Sequence, residues 1–309
     1  MAETKSKKKR STKKRSGSQP ARISVAKTFK MYVNGAFIRS ERGRCLPQHD
    51  QEGNFVANYS WATRKDFRNA MVAARKAQGG WFKRSAFNRS QILYRIAEML
   101  ESRRGVFVDN LVQLAGYSAE EASAEVDAAV DRTFWYAGWC DKYIQILGSV
   151  NPIAGPFFNF SFPEPTGVVT VFTPSNAPLL GVVSSILPVI LSGNSCIAVV
   201  ENRAPVIALE LGEVFATSDV PGGVVNILTG RRDELISHVA NHMDLNAIAY
   251  FGDNADEIKE IQEAAAENVK RVTVYDDPSD AAWLDDSMQS LYRITPFIET
   301  KTAWHPMGQ

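Results

Sequence analysis

The residues of this sequence with the greatest capacity for covalent chemistry are three cysteines, Cys45, Cys140 and Cys196. A thiol attacks as its thiolate, which requires an electropositive and partly wet setting. Cys196 falls in the apolar run 195–201 and reads as a small core residue; Cys140 falls in a helical stretch and Cys45 in the N-terminal region. None of the three is assigned a catalytic step. CxxC spacing is missing, which removes the usual sign of a disulfide scaffold or a zinc site. His238 and His242 stand four residues apart on an expected helix, a spacing that would offer two imidazoles to one metal ion. No third ligand accompanies them, and the competing reading is a solvated helical face. With no Ser-His-Asp or P-loop pattern either, neither a catalytic residue nor a metal site is expected.

Binding chemistry, by contrast, gathers in turns. Thr173-Pro174-Ser175-Asn176 places hydroxyl and amide groups directly after an apolar run. Gly193-Asn194-Ser195 precedes a second run, Pro221-Gly222-Gly223 and Thr229-Gly230 bracket a third, and Tyr250-Phe251-Gly252 ends a fourth. Glycine at such points lets a ligand approach the backbone closely. Taken alone, Asn176 is a turn or N-cap residue before a helix expected from Ala177.

The elements that carry these turns follow one rhythm. Apolar runs at 167–172, 195–201, 223–228, 245–251 and 271–275 alternate with helical stretches at 177–191, 204–215, 231–241, 255–266 and 279–292. The runs are continuous in Val and Ile, as expected when both faces of a parallel sheet are covered. Repeated β–α units predict an α/β fold, a doubly wound parallel sheet with helices on both faces, whose ligands sit at the C-terminal strand ends. Ahead of it, 31–38 predicts a hairpin turning at Asn34-Gly35. Apolar periodicity predicts helices over 64–78, 88–103 and 119–146, the last with Phe134, Trp135, Tyr136 and Trp139 as core packing.

A net charge of +1 conceals an uneven distribution. Residues 1–30 hold eleven Lys or Arg and only Glu3 as an acid, so the remainder is acidic. A tail over 1–29, almost free of hydrophobes, is expected to be disordered. Its bland role is a solubilising extension; nonspecific attraction of residues 1–28 to nucleic acid, or to another anionic partner, is the alternative. No apolar run reaches membrane-spanning length and no secretory signal is seen, so a cytoplasmic location is expected.

In order and spacing, the four turn motifs resemble the cofactor-binding domain of the aldehyde dehydrogenase superfamily, over about residues 30–274. The terminal run Phe297-Ile298-Glu299-Thr300-Lys301-Thr302-Ala303-Trp304 resembles the strand that ends many members, and 148–163 resembles their projecting hairpin. The resemblance implies a cofactor-like domain over 30–147 and 164–293, with a small β oligomerisation element from 148–163 and 294–309. It also implies that the catalytic domain lying between these parts in the family is omitted.

Family chemistry uses a cysteine nucleophile, a glutamate that activates water and an amide that holds the oxyanion. The resemblance makes Asn176 a vestigial amide donor. Where the family has Glu-Leu-Gly-Gly, this chain has Tyr275-Asp276-Asp277-Pro278. Where the family has Lys-Pro-x-Glu, it has Val199-Val200-Glu201-Asn202. Thr173, Asn202, Gly230 and Gly252 remain as cofactor-contact candidates, yet Asp253, Asp256 and Glu257 put carboxylates where a pyrophosphate would lie. No cofactor is therefore expected, with weak NAD or NADP binding as the alternative. The expected role is an inactive subunit that joins a full-length aldehyde dehydrogenase, or itself, through residues 297–304. A period-2 strand leaves backbone groups unpaired unless it enters a sheet. A residual or shared NAD(P)-dependent oxidoreductase activity is the competing expectation.

Overall fold

The computed structural model describes residues 25–308. The expected tail, with its proposed nucleic-acid contact, lies outside the described residues as far as position 24. Its final part is not tail-like. β1 (Thr28–Phe29) runs parallel to β5 (Phe55–Ser60), which is antiparallel to β4 (Cys45–His49), making a small sheet. Phe29 packs on the core and Lys27 donates to Glu210, which holds this segment in place. Between these strands, β2 (Met31–Val33) and β3 (Ala36–Ile38) form the expected hairpin. Asn34 and Gly35 both take positive φ, 55° and 75°, matching the twist of a two-residue turn.

Helices α1 (Arg64–Phe82), α2 (Ala86–Ser102) and α3 (Arg104–Asn110) follow, then α4 (Ala119–Ala137) and α5 (Lys142–Leu147). The single helix expected over 119–146 breaks after Ala137, so Cys140 sits in a buried turn and not in a helix. Strands β6 (Ser149–Val150) and β7 (Phe157–Pro165) come next. The doubly wound part then reads β8 (Val168–Phe172), α6 (Leu180–Ile190), β9 (Ser195–Val200), α7 (Pro205–Ala216), β10 (Val225–Thr229), α8 (Arg232–Ala240), β11 (Ala247–Phe251), α9 (Ala255–Ala266) and β12 (Arg271–Tyr275).

These strands form a sheet in the order β12-β11-β8-β9-β10, all parallel, with β2 and β3 added antiparallel at one edge. Two apolar cores flank it. One packs Val169, Val171, Ala198 and Ile227 against α2, α4, α6 and α7; the other packs Val168, Ile197, Leu228 and Ile248 against α1, α8 and α9. With both faces buried, β8 to β11 have no polar-out pattern to show. None of the helices among the described residues is long and apolar enough to cross a membrane.

The C-terminal part departs from expectation. Instead of a helix over 279–292 there is only α10 (Asp280–Trp283), followed by 3-10 turns at Asp286–Met288, Leu291–Arg293 and Thr295–Phe297. The side chains of Ser279, Asp285 and Ser290 accept from Ala282, Ser287 and Tyr292 N–H. Each such local bond restarts the backbone and interrupts helix growth. The chain then enters β13 (Ile298–Pro306), antiparallel to β7 over nine residue pairs, giving a third sheet in the order β13-β7-β6.

Candidate functional site

In a doubly wound sheet the ligand crevice opens where the strand order reverses. Here the chain runs from β8 outward through β9 and β10, then returns to the other side of β8 with β11. The reversal lies between the C-terminal ends of β8 and β11. Arg232, the first residue of α8, reaches into that gap. Its guanidinium donates to the carbonyl of Phe251, at the end of β11, at 2.9 Å, and to that of Thr173, just beyond β8, at 2.8 Å. It also lies over the Tyr250 ring, 5.0 Å from its centroid. The arginine that cross-ties the two strand ends thus occupies the space between them.

The surrounding cavity, about 590 Å³, is lined by five carboxylates (Glu201, Asp253, Glu257, Asp276 and Asp277) and, among the described residues, by Arg232 as the one cation. The Tyr250 hydroxyl donates to Glu257 at 2.6 Å, and burial together with that carboxylate pushes the phenol up to about 12. The Arg232 N–H donates to Glu201 at 2.6 Å. Asn254 caps α9, accepting from Asp256 and Glu257 N–H, so its first turn is already satisfied internally.

Beside this cavity the turn after β8 is held by carboxylates from elsewhere in the chain. Ser175 donates through both its N–H and its hydroxyl to Asp277. Ala177, strained at φ 45°, donates its N–H to Asp280 at 2.6 Å. Leu179 and Leu180 donate theirs to Glu125 of α4, at 2.8 and 3.0 Å. Asp280 also accepts from Arg203, which in turn donates to Tyr117. Burial alone would raise the Asp280 carboxyl, but the Ala177 N–H and the Arg203 guanidinium outweigh it and hold it below the usual range. Glu125 is pushed up by burial, against the pull of the two N–H groups.

The residues singled out from the sequence take other parts. α6 starts at Leu180, so Asn176 lies four positions ahead of the helix and does not cap it. Thr173 is fully buried and bonds Val199. Asn202 accepts from Ala204 N–H in a local turn. Gly230 packs against Trp61, where a Cβ would come within 2.9 Å of the indole. Gly252 faces Tyr250 and Arg232, whose atoms lie 3.1 and 3.2 Å from the position of a Cβ, so the close approach it permits is used internally. Burial pushes the thiol of Cys140 up to about 12 and raises that of Cys196 as well, while Cys45 is exposed. His242 lies beyond the end of α8, edge-on to Phe67, so His238 and His242 do not share a helical face.

In the third sheet, Glu299, Thr300, Lys301, Thr302 and Trp304 are exposed and Ala303 is half-buried. Phe297 and Ile298, expected at an interface, are instead buried in this chain's own core and anchor the strand. Sequence reasoning missed Arg232, Asp277, Asp280 and Glu125. One sign of Arg232 was present: Arg231-Arg232 opens a helix, where the dipole disfavours cations unless something else holds them.

Residues 38–278 match the family model described as "Aldehyde dehydrogenase family". The human retinal dehydrogenase 2 is 33% identical over 255 residues, 80% of this chain and 48% of the relative. The D-glyceraldehyde dehydrogenase (NADP(+)) of Thermoplasma acidophilum is 29% identical, over 79% of this chain and 49% of its own length. Among solved structures, the NAD+ complex of aldehyde dehydrogenase from Bacillus cereus superposes with a TM-score of 0.76 at 26% identity, covering 81% of this chain and 51% of that one. The chain spans about half the length of the relatives it matches. Sequence pattern and fold agree across most of its length, and the chain belongs to the aldehyde dehydrogenase family.

Proposed function

We propose that this chain acts as a non-catalytic aldehyde-dehydrogenase-like subunit, assembling with an active aldehyde dehydrogenase or with itself. The observation that carries the reading is the Arg232 guanidinium lodged between the ends of β8 and β11. A dinucleotide would have to displace it, break two charge-assisted hydrogen bonds, and set its pyrophosphate among five carboxylates. The residues present do not fit that cofactor, and they support no hydride step. Ser175 and Ala177 N–H, at the turn that would hold a developing negative charge, are already bonded to Asp277 and Asp280.

Assembly is supported by the third sheet. β13 is paired on one side by β7, and among the described residues its other edge is open. Phe158, Phe160 and Phe162 form a ladder along one face of β7, with ring centroids 5.3 and 5.8 Å apart, and Phe158 is exposed. An open edge beside apolar rings favours a second strand or sheet. The three unpaired thiols suit the reducing cytoplasm.

Calorimetric titration with NAD and NADP tests the reading. No heat at millimolar cofactor is expected. Micromolar binding would establish the competing reading, in which the chain contributes to NAD(P)-dependent aldehyde chemistry as relatives with bound NAD+ suggest.

A further inference from the structure

A second cavity, of about 740 Å³, differs in character from the strand-end crevice: it is lined by five cationic side chains and two carboxylates. That is unexpected on a body whose sequence is acidic beyond the first thirty residues. It forms where the loop after β3 meets the start of α1 and the outer side of α8. The loop turns through Gly43, whose N–H donates to the Ser40 carbonyl at 2.8 Å and whose φ is 65°. A fully buried Asp66 then fixes this loop to the helix. Its carboxylate accepts from Ser40 Oγ, Glu41 N–H, Thr63 N–H and Thr63 Oγ1, at 2.7 to 3.0 Å. The cations from both elements are therefore held in register and are not scattered on mobile chain.

Both acids of the groove are already engaged. Glu234 takes the Arg44 guanidinium through two bonds of 3.1 and 3.2 Å, and Glu41 takes Lys65 at 2.9 Å and Asn69. Arg44 is further fixed by stacking 3.3 Å above the Trp61 ring. Arg42, Arg64 and Arg68 form no ion pair within 4 Å among the described residues, although Arg68 lies near enough to Glu41 to help hold its carboxyl down. Three open guanidiniums around one concavity match a ligand with several adjacent anionic oxygens, because each planar fork can take two of them. We propose that this groove binds a polyphosphate chain, free or as part of a nucleoside polyphosphate.

The test is calorimetric titration of the full chain with inorganic tripolyphosphate at low and at physiological salt, compared with the variant carrying R42A, R64A and R68A. An unchanged thermal melt confirms that the variant folds. Binding that falls by at least about tenfold in the variant, and weakens with salt in the parent, is expected. A second variant with R84A and R95A, on another face, should bind like the parent. If the R42A/R64A/R68A chain binds as well as the parent, the basic residues before position 30 carry the affinity and the groove assignment is overturned. Absence of binding by the parent at millimolar tripolyphosphate overturns it equally. ATP separates the sources: affinity equal to tripolyphosphate shows that only the phosphate chain is read, and tighter binding shows that the nucleoside adds contacts.

Discussion

Replacing Arg232 by alanine gives the most direct test of the filled crevice. The side chain makes two hydrogen bonds from a charged donor to backbone carbonyls. Such bonds contribute roughly 1.5–3 kcal/mol each when both partners are dry. The crevice is open to water, which would take over part of both carbonyls, so about half of that is retained as a net loss. Loss of the cation over Tyr250 adds about 0.5 kcal/mol at a partly exposed site. Destabilisation of roughly 2–3.5 kcal/mol is expected, which moves a urea midpoint down by about 0.7–1.2 M for a slope near 3 kcal/mol per M. Equilibrium unfolding followed by tryptophan fluorescence would read it. The same substitution combined with E257Q, which keeps an acceptor for Tyr250 while removing a charge, should raise NAD affinity from undetectable toward the millimolar range. A midpoint shift smaller than about 0.2 M would refute the reasoning, because a lodged and doubly bonded guanidinium cannot be removed so cheaply.

Four further outcomes follow from the same structure. E125A should cost about 1–3 kcal/mol by orphaning the Leu179 and Leu180 N–H groups, whereas E125Q retains an acceptor and should cost less. Because burial raises the Glu125 carboxyl in the folded state, the native protein binds this proton more tightly than the unfolded chain. The parent should therefore lose stability as pH rises from the ordinary carboxylate range, and E125Q should not, as denaturation at pH 5 and pH 8 would compare. A maleimide pulse on the native protein should label Cys45 alone, with Cys140 and Cys196 reacting only after unfolding; mass spectrometry reads the count. Deleting residues 299–309, which leaves the buried Phe297 and Ile298 in place, should yield a smaller assembly by light scattering, and an unchanged mass would remove β13 from the interface.

The sheet was legible because β8 to β12 are short, continuous Val/Ile runs separated by helices of ordinary length, and their bounds shifted by only a residue or two. What was not legible depended on partners distant in sequence. Nothing near Glu125 announces that it will serve the start of α6, fifty-four residues on. The residue types of the cofactor candidates suit a ligand, yet Thr173, Gly230 and Gly252 are each taken up by internal packing. The helix expected over 279–292 failed for a local reason, the repeated Ser and Asp caps, that periodicity alone ignores. The basic groove needed the Asp66 anchor, which in sequence is only an acid in a helix's first turn.

Pairing of β13 with β7 joins residues far apart along the chain, 141 positions in the Ser161–Thr302 contact. Closing so long a loop is entropically slow, and beyond Ile298 the strand's residues are mostly exposed and lie outside the core. Pairing of β13 should therefore come late as the chain folds. Until then β7 is paired only by the two-residue β6, so the Phe158–Phe160–Phe162 ladder lies beside an open edge and another chain can compete for β7.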